Sequence, residues 1–168
     1  METPLDFRPK GDGNSGMIDT VRIHATCVAV GTCGILLRGP SGSGKSDLAL
    51  RLMVDGARLV ADDRCDLWAD DGSLWAAAPK DLEGLLEVRG LGVMRMDRAD
   101  KAAVHLIVDL LPRQQVPRLP EPRSDSLAGV SLPCLSLHAF DASVVAKLRL
   151  AARVPFDPSL CHTGAWTS

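Results

Sequence analysis

The eight residues Gly39-Pro40-Ser41-Gly42-Ser43-Gly44-Lys45-Ser46 constrain this chain more than any other stretch. They match the pattern G-x-x-x-x-G-K-[ST] at every fixed position. The apolar run Ile35-Leu36-Leu37 leads in, and a helical pattern from Asp47 to Asp55 leads out. Strand, glycine-rich loop and helix together form a phosphate-binding unit. The glycines let successive backbone N–H groups converge on phosphate oxygens. The helix that follows adds the positive end of its dipole. In that arrangement Lys45 reaches the outer phosphates, and the Ser46 hydroxyl is placed to ligate Mg²⁺. A chain built around this loop binds a nucleoside triphosphate or a similar phosphate ester.

Composition narrows the partners. The chain has 168 residues, enough for one domain with its own core. Its formal net charge is −2, and it holds three Trp, three Phe and no Tyr. Neither a basic nucleic-acid footprint nor an aromatic platform for single strands is present. No apolar run reaches the roughly 20 residues that span a bilayer. The polar N-terminal stretch lacks an apolar signal core, so the expected location is the cytoplasm. Five cysteines stand singly along the chain, which reads as buried thiols and not as a zinc site or disulfide framework. Residues 1–16 read as a flexible leader, 17–155 as the domain built around the loop and 156–168 as an irregular tail.

Along the chain, Val21 to Val30 reads as one strand and Gly34 to Arg38 as a second. Leu48, Ala49, Leu52 and Met53 mark the buried face of the helix after the loop, with Gly56 at its stop. Arg58 to Ala61 is a short strand, and Cys65 to Ala69 pairs with Leu74 to Ala78 across the turn Asp70-Asp71-Gly72-Ser73. Leu85 to Gly92 looks like a strand interrupted by two glycines and two charges. Val104 to Leu111 is a continuous apolar strand, expected to be buried on both faces. Residues 112–123 carry four prolines and three arginines and read as a surface loop. Leu132 to Leu137 is a last strand, and Asp141 to Arg153 a helix with Asp141 as its N-cap.

Asp62-Asp63 closes the strand after the loop helix, with Asp63 seventeen residues beyond Ser46. A βαβ unit would set that strand parallel to the one before the loop and bring both carboxylates to the phosphate edge of the sheet. Asp62 could then hold Mg²⁺ directly or through water, and Asp63 could accept a proton from an attacking hydroxyl. Glu87 and Arg89 alternate along a strand and so share a face. Glu87 could ligate a metal and Arg89 steady a phosphoryl group, or the two could form a surface ion pair. His24, in the middle of an apolar strand, reads on its own as a buried histidine, and so does His105.

Taken in order, His24, Gly39–Ser46, Leu59-Val60-Ala61-Asp62-Asp63 and Leu86-Glu87-Val88-Arg89-Gly90-Leu91-Gly92 resemble the HPr kinase/phosphorylase family in its short form, the C-terminal catalytic domain alone. The resemblance covers roughly residues 21–110. It implies an α/β domain whose nucleotide-binding fold is of the phosphoenolpyruvate carboxykinase type, a mixed sheet with flanking helices. It further implies ATP-dependent, Mg²⁺-dependent phosphorylation of a serine of HPr, the small phosphocarrier of the sugar phosphotransferase system. By position, Lys45 binds the outer phosphates, Ser46 and Glu87 bind Mg²⁺, Asp63 is the proton acceptor, and His24 and Arg89 belong to the active site. Family members assemble as hexamers through this domain, which implies a homo-oligomer. The family's C-terminal P-V-x-P-G-R-N loop, tied to dephosphorylation, has no counterpart in Leu132–His138, so the reverse reaction is not implied. Arg118 matches a further family arginine only loosely. Two other readings fit the loop: a small-molecule kinase with an arginine-bearing lid at 112–123, and a nucleotide sensor that transfers nothing.

Overall fold

A computed structural model describes residues 18–166; the leader expected over residues 1–16 lies outside the described residues. Eleven strands and two α-helices follow in the order β1 (Val21–Ile23), β2 (Thr26–Val30), β3 (Cys33–Arg38), α1 (Lys45–Val54), β4 (Arg58–Ala61), β5 (Cys65–Asp70), β6 (Ser73–Ala77), β7 (Leu85–Val88), β8 (Gly92–Arg95), β9 (Ala102–Leu110), β10 (Ser124–Leu127), β11 (Val130–Leu137) and α2 (Val144–Ala151). Nine strands form one mixed sheet, and β7 with β8 forms a separate hairpin.

The sheet runs β1-β5-β6-β9-β3-β2-β4, with β11 also joined to β9 and β10 joined to β11. β9 lies at its centre. It lies parallel to β3 along its length, antiparallel to β6 at Ala102–Val104 and parallel to β11 at Ile107–Leu110. β2 is antiparallel to both β3 and β4. The expected parallel direction of β3 and β4 is therefore present, but β2 is inserted between them. β3, β4, β9 and β11 all end at the same edge of the sheet, and the loops that leave that edge build the site.

Alternation along the strands sorts the core. Ile35 and Leu37 of β3 pack with Leu48 and Leu52 of α1 and Val144 and Leu148 of α2, while Leu36 packs in a second cluster with Cys27, Cys65, Leu67 and Leu74. Both helices therefore cover one face, and the other is filled by the sheet curling over itself. β9 contributes Leu106 and Val108 to the first cluster and Val104 to the second, so it is buried on both sides as its apolar run predicts. Ala165 and Trp166, in the tail, pack against the first cluster.

Several local expectations are corrected. Val21–Val30 is two strands and not one: the chain bends at His24, leaves its pairing with β5 and enters a new one with β3 and β4. The Ala25 N–H donates to the Asp63 carbonyl (3.2 Å) at this break. Leu85–Gly92 is a strand and a turn, with Gly92 opening β8. α2 starts after Ser143, because the Asp141 carboxylate is taken by Arg113 at 2.7 Å. β10, a polar edge strand, follows directly on the proline-rich loop that hid it. The hairpin turn at Asp71-Gly72 has positive φ at both residues (48° and 75°), the signature of the tight turn that suits right-twisted strands.

Candidate active site

The phosphate loop leaves β3 and enters α1 through Gly44, whose φ is 96°. A Cβ there would lie 2.8 Å from both Ala139 Cβ and Phe140 Cζ, so the segment after β11 closes against the loop only over glycine. Arg51 of α1 donates to the Ala139 carbonyl and fixes the same segment from the other side. Asp47 in the first turn of α1 and Arg51 in the last complement the helix dipole and pair at 2.9 Å.

A cavity of about 530 Å³ opens over the loop. It is lined by Ser41, Gly42, Gly44, Lys45 and Ser46 from the loop, His24, Asp62, Asp63, and Glu87, Val88 and Arg89 of the β7–β8 hairpin, with Asp47, Leu50 and Phe140 at its rim. Every charged residue that the sequence singled out for the site meets here. Gly39, Pro40 and Ser43 shape the loop beneath it. The Lys45 ammonium donates to the carbonyls of Gly39 (2.7 Å) and Pro40 (3.1 Å). Burial lowers its pKa, against the opposing pull of Asp63 and Asp62. The Ser43 hydroxyl oxygen is buried without a partner among the described residues.

Asp62 is 8% exposed and is the hub of the site. Its Oδ1 accepts from Ser46 Oγ at 2.6 Å and from Thr26 Oγ1 at 3.0 Å, and its Oδ2 accepts the Glu87 N–H at 3.4 Å. One buried carboxylate thus ties together β2, α1 and β7. Because the Ser46 proton is committed to Asp62, the lone pairs of that hydroxyl are turned elsewhere. Asp63, by contrast, is exposed. Its Oδ1 lies 2.9 Å from His24 Nδ1, and both side chains are more than half open to solvent. The break between β1 and β2 puts His24 there. It is not the buried mid-strand histidine that the apolar run suggested. β1 is anchored by Arg22, which holds the buried Asp66 at 2.6 Å.

Glu87 pairs with Val93 one residue before Val88 closes the ladder of β7, and Arg89 sits in the turn beyond it. The two do not pair with each other among the described ion pairs; both line the cavity. Among the described residues, no group of three or more His, Cys, Asp or Glu side chains is gathered to hold a metal. Of the arginines in the loop at 112–123, Arg113 is paired with Asp141 and Arg123 with Asp109, and Arg118 does not line the cavity. Thr26 escaped the sequence reading. A threonine within an apolar strand carries no local signal that it faces two aspartates from the turn after β4.

With this geometry in place, comparison with known proteins decides the family. The sequence profile of the HPr serine kinase C-terminal domain matches residues 16–139. The chain belongs to this family. Over 82 residues it is 44% identical to an HPr kinase/phosphorylase of Streptococcus thermophilus, covering 48% of this chain and 26% of that protein. Over 95 residues it is 42% identical to an HPr kinase/phosphorylase of a Geobacillus species, covering 56% of this chain and 30% of that protein. These matches span about a quarter to a third of the relatives' length. In three dimensions the chain resembles the HPr(Ser) kinase/phosphatase of Coxiella burnetii with a TM-score of 0.72 at 23% identity, covering 79% of this chain and 94% of that one. The likeness shows the same mixed α/β fold with a curled sheet and few helices. Among the described residues, no helix is long and apolar enough to cross a membrane.

Proposed function

We propose that this domain is an ATP- and Mg²⁺-dependent kinase that phosphorylates a serine of HPr in the cytoplasm. The observation that carries the reading is the placement of the Asp63 carboxylate, oriented by His24 at 2.9 Å, in the cavity over the phosphate loop. A base at the mouth of a phosphate nest is what hydroxyl phosphorylation requires.

ATP would lie with its outer phosphates against the amides of Gly42–Ser46. Lys45 then exchanges the carbonyls of Gly39 and Pro40 for phosphate oxygens and offsets the charge that develops on the transferred group. Ser46 and Glu87, with Asp62 behind Ser46, are the residues that would hold Mg²⁺, which supplies charge neutralisation across the phosphates. The serine hydroxyl enters from the open side, beside Asp63. Its oxygen forms a bond to the γ-phosphorus as the bond to the β–γ bridging oxygen breaks. The leaving electron pair stays on ADP, and the hydroxyl proton passes to Asp63. His24 holds the Asp63 carboxylate in the orientation that receives it. Arg89, which lines the cavity, would meet the phosphoryl oxygens.

The arginines at 112–123 do not form the lid that a small-molecule kinase would favour, since two of the three are committed to the chain's own carboxylates. The family resemblance also supports a homo-oligomer, to be measured as mass in solution. The decisive experiment mixes the purified chain with HPr and γ-labelled ATP. Label should appear on one serine of HPr and vanish when that serine becomes alanine. A mixture in which HPr stays unlabelled overturns the reading.

A further inference from the structure

The polar groups of Asp63 are held by three consecutive residues at the break between β1 and β2. His24 Nδ1 meets its carboxylate at 2.9 Å, the Ala25 N–H donates to its carbonyl at 3.2 Å, and its own N–H donates to Thr26 Oγ1 at 3.4 Å. The Thr26 hydroxyl has one proton, and that proton goes to Asp62 Oδ1 at 3.0 Å. Thr26 is completely buried, so no water competes for either bond. Asp63 needs this grip. Its φ is 66°, in the left-handed region that residues with a Cβ rarely adopt, and the Arg64 N–H closes a three-residue turn onto the Asp62 carbonyl at 2.7 Å. Without it the backbone could relax and swing the carboxylate away from the cavity.

We infer that Thr26 is a positioning residue for phosphoryl transfer: its single hydroxyl locks Asp62 and Asp63 together, aiming Asp62 at Ser46 and keeping the strained Asp63 in place as the base. The inference rests on the reading of Asp63 as the proton acceptor. It adds that the acceptor's geometry is set from β2. Displacing a reacting group by about 1 Å costs on the order of a hundredfold in rate.

The test replaces Thr26 by Val, which keeps the shape and removes the hydroxyl, and by Ser, which keeps the hydroxyl. Transfer from ATP to HPr is followed together with the exchange rate of the Asp63 amide proton by NMR. Thr26→Val should lower kcat roughly 10- to 100-fold, with KM for ATP changed less than about threefold because Lys45 and the loop amides keep their places and Ser46 still donates to Asp62. Thr26→Ser should recover kcat to within about threefold. In Thr26→Val the Asp63 amide should exchange roughly tenfold faster or more, since its acceptor is gone. Should Thr26→Val fail to fold, Thr26→Ala, which cannot clash, serves instead. An unchanged kcat in a folded Val or Ala variant overturns the inference, and so does a Ser variant as slow as Val. An unchanged Asp63 amide overturns the lock itself. Asp63→Asn run in parallel separates the two claims: if it transfers phosphate normally, the base assignment fails, while the amide measurement still judges the lock.

Discussion

Two groups of charged side chains flank the root of the phosphate loop, and they are built on opposite rules. On one side Arg38, the last residue of β3, reaches Asp109 on β9 at 2.8 Å and Asp125 on β10 at 2.7 Å, and Arg123 reaches the same Asp109 at 3.0 Å. Every carboxylate there meets a guanidinium. On the other side Asp62, Asp63 and Glu87 face one cavity, and Lys45 spends two of its donors on the carbonyls of Gly39 and Pro40. The first group is closed on itself and ties β3, β9 and β10 at the point where the loop begins. The second is left short of positive charge, which a cationic ligand would supply, and the remaining Lys45 donor is open to an anionic one. Breaking a half-buried cluster of guanidinium–carboxylate pairs costs stability, while carboxylates that face a cleft without a guanidinium are where chemistry is expected. Substitutions in the two groups should therefore fail in different assays.

The largest effect belongs to Lys45→Ala. Transfer to HPr should fall roughly 1,000-fold or more, because the developing charge loses its cation. The melting temperature should change little, since relief of the ammonium's desolvation offsets the loss of its bonds to the Gly39 and Pro40 carbonyls. A variant that melts far lower and keeps its activity would reverse the assignment of the two groups.

Asp63→Asn comes next, at roughly 100-fold or more on kcat. Asparagine accepts the left-handed conformation about as well as aspartate does, so the change tests the charge and not the backbone. Asp63→Ala would confound the two. Near-normal transfer by the Asn variant, measured under the same conditions, would remove Asp63 from the role of base.

The places of Lys45 and Asp63 at one cavity were legible in the sequence because their signals are local. The loop, its strand and its helix form one continuous segment, and Asp62-Asp63 terminates a strand bounded at its other end by Gly56. What could not be read depends on contacts between distant residues. His24 looked like a strand residue because nothing near it announces that the Ala25 amide will go to Asp63 instead of to a ladder. Thr26 is invisible for the same reason. Asp141 has the chemistry of an N-cap, yet Arg113 takes its carboxylate and the helix begins later. The alternation of Glu87 and Arg89 placed both at the cavity, though by way of a hairpin turn and not along one strand.

Arg38→Met tests the closed group. It leaves Asp109 short of its main partner in a half-buried setting, and should cost about 2 kcal/mol, or about 5 °C in Tm. Activity per folded molecule should change much less than for Lys45→Ala. The pH dependence adds a second check. Burial pushes the Asp109 carboxyl up, but Arg38, the Cys134 thiol and Arg123 outweigh it and hold it below the usual carboxylate range. Its contribution is therefore complete above about pH 4, the unfolded value, and is lost as the pH falls through the lower folded value. The Tm gap between wild type and Arg38→Met should be widest at neutral pH and should narrow by pH 3. A gap that does not depend on pH would mean that the arginine acts through packing alone.

The smallest perturbation reads the same cluster without altering it. Cys134 Sγ lies 3.3 Å from Asp109 Oδ2 and 3.1 Å from Arg123 Nη2. Burial and the charge on Asp109 push its pKa up to about 11, against the opposing pull of Arg123 and Arg38. Burial takes the Cys33 thiol up to about 12, and Cys27 is likewise raised by its contact with Cys65 and by burial. The thiolate is the reactive form, so these thiols should resist iodoacetamide at pH 8. Of the five, only Cys161 is partly exposed. The native chain should therefore label once quickly, and all five should label after unfolding. In Arg38→Met, Cys134 should become the second to react, because the opened cluster admits water and reagent. Fast labelling of Cys134 in the wild type would show that the paired group opens as readily as the one at the cavity, and the contrast between them would fall.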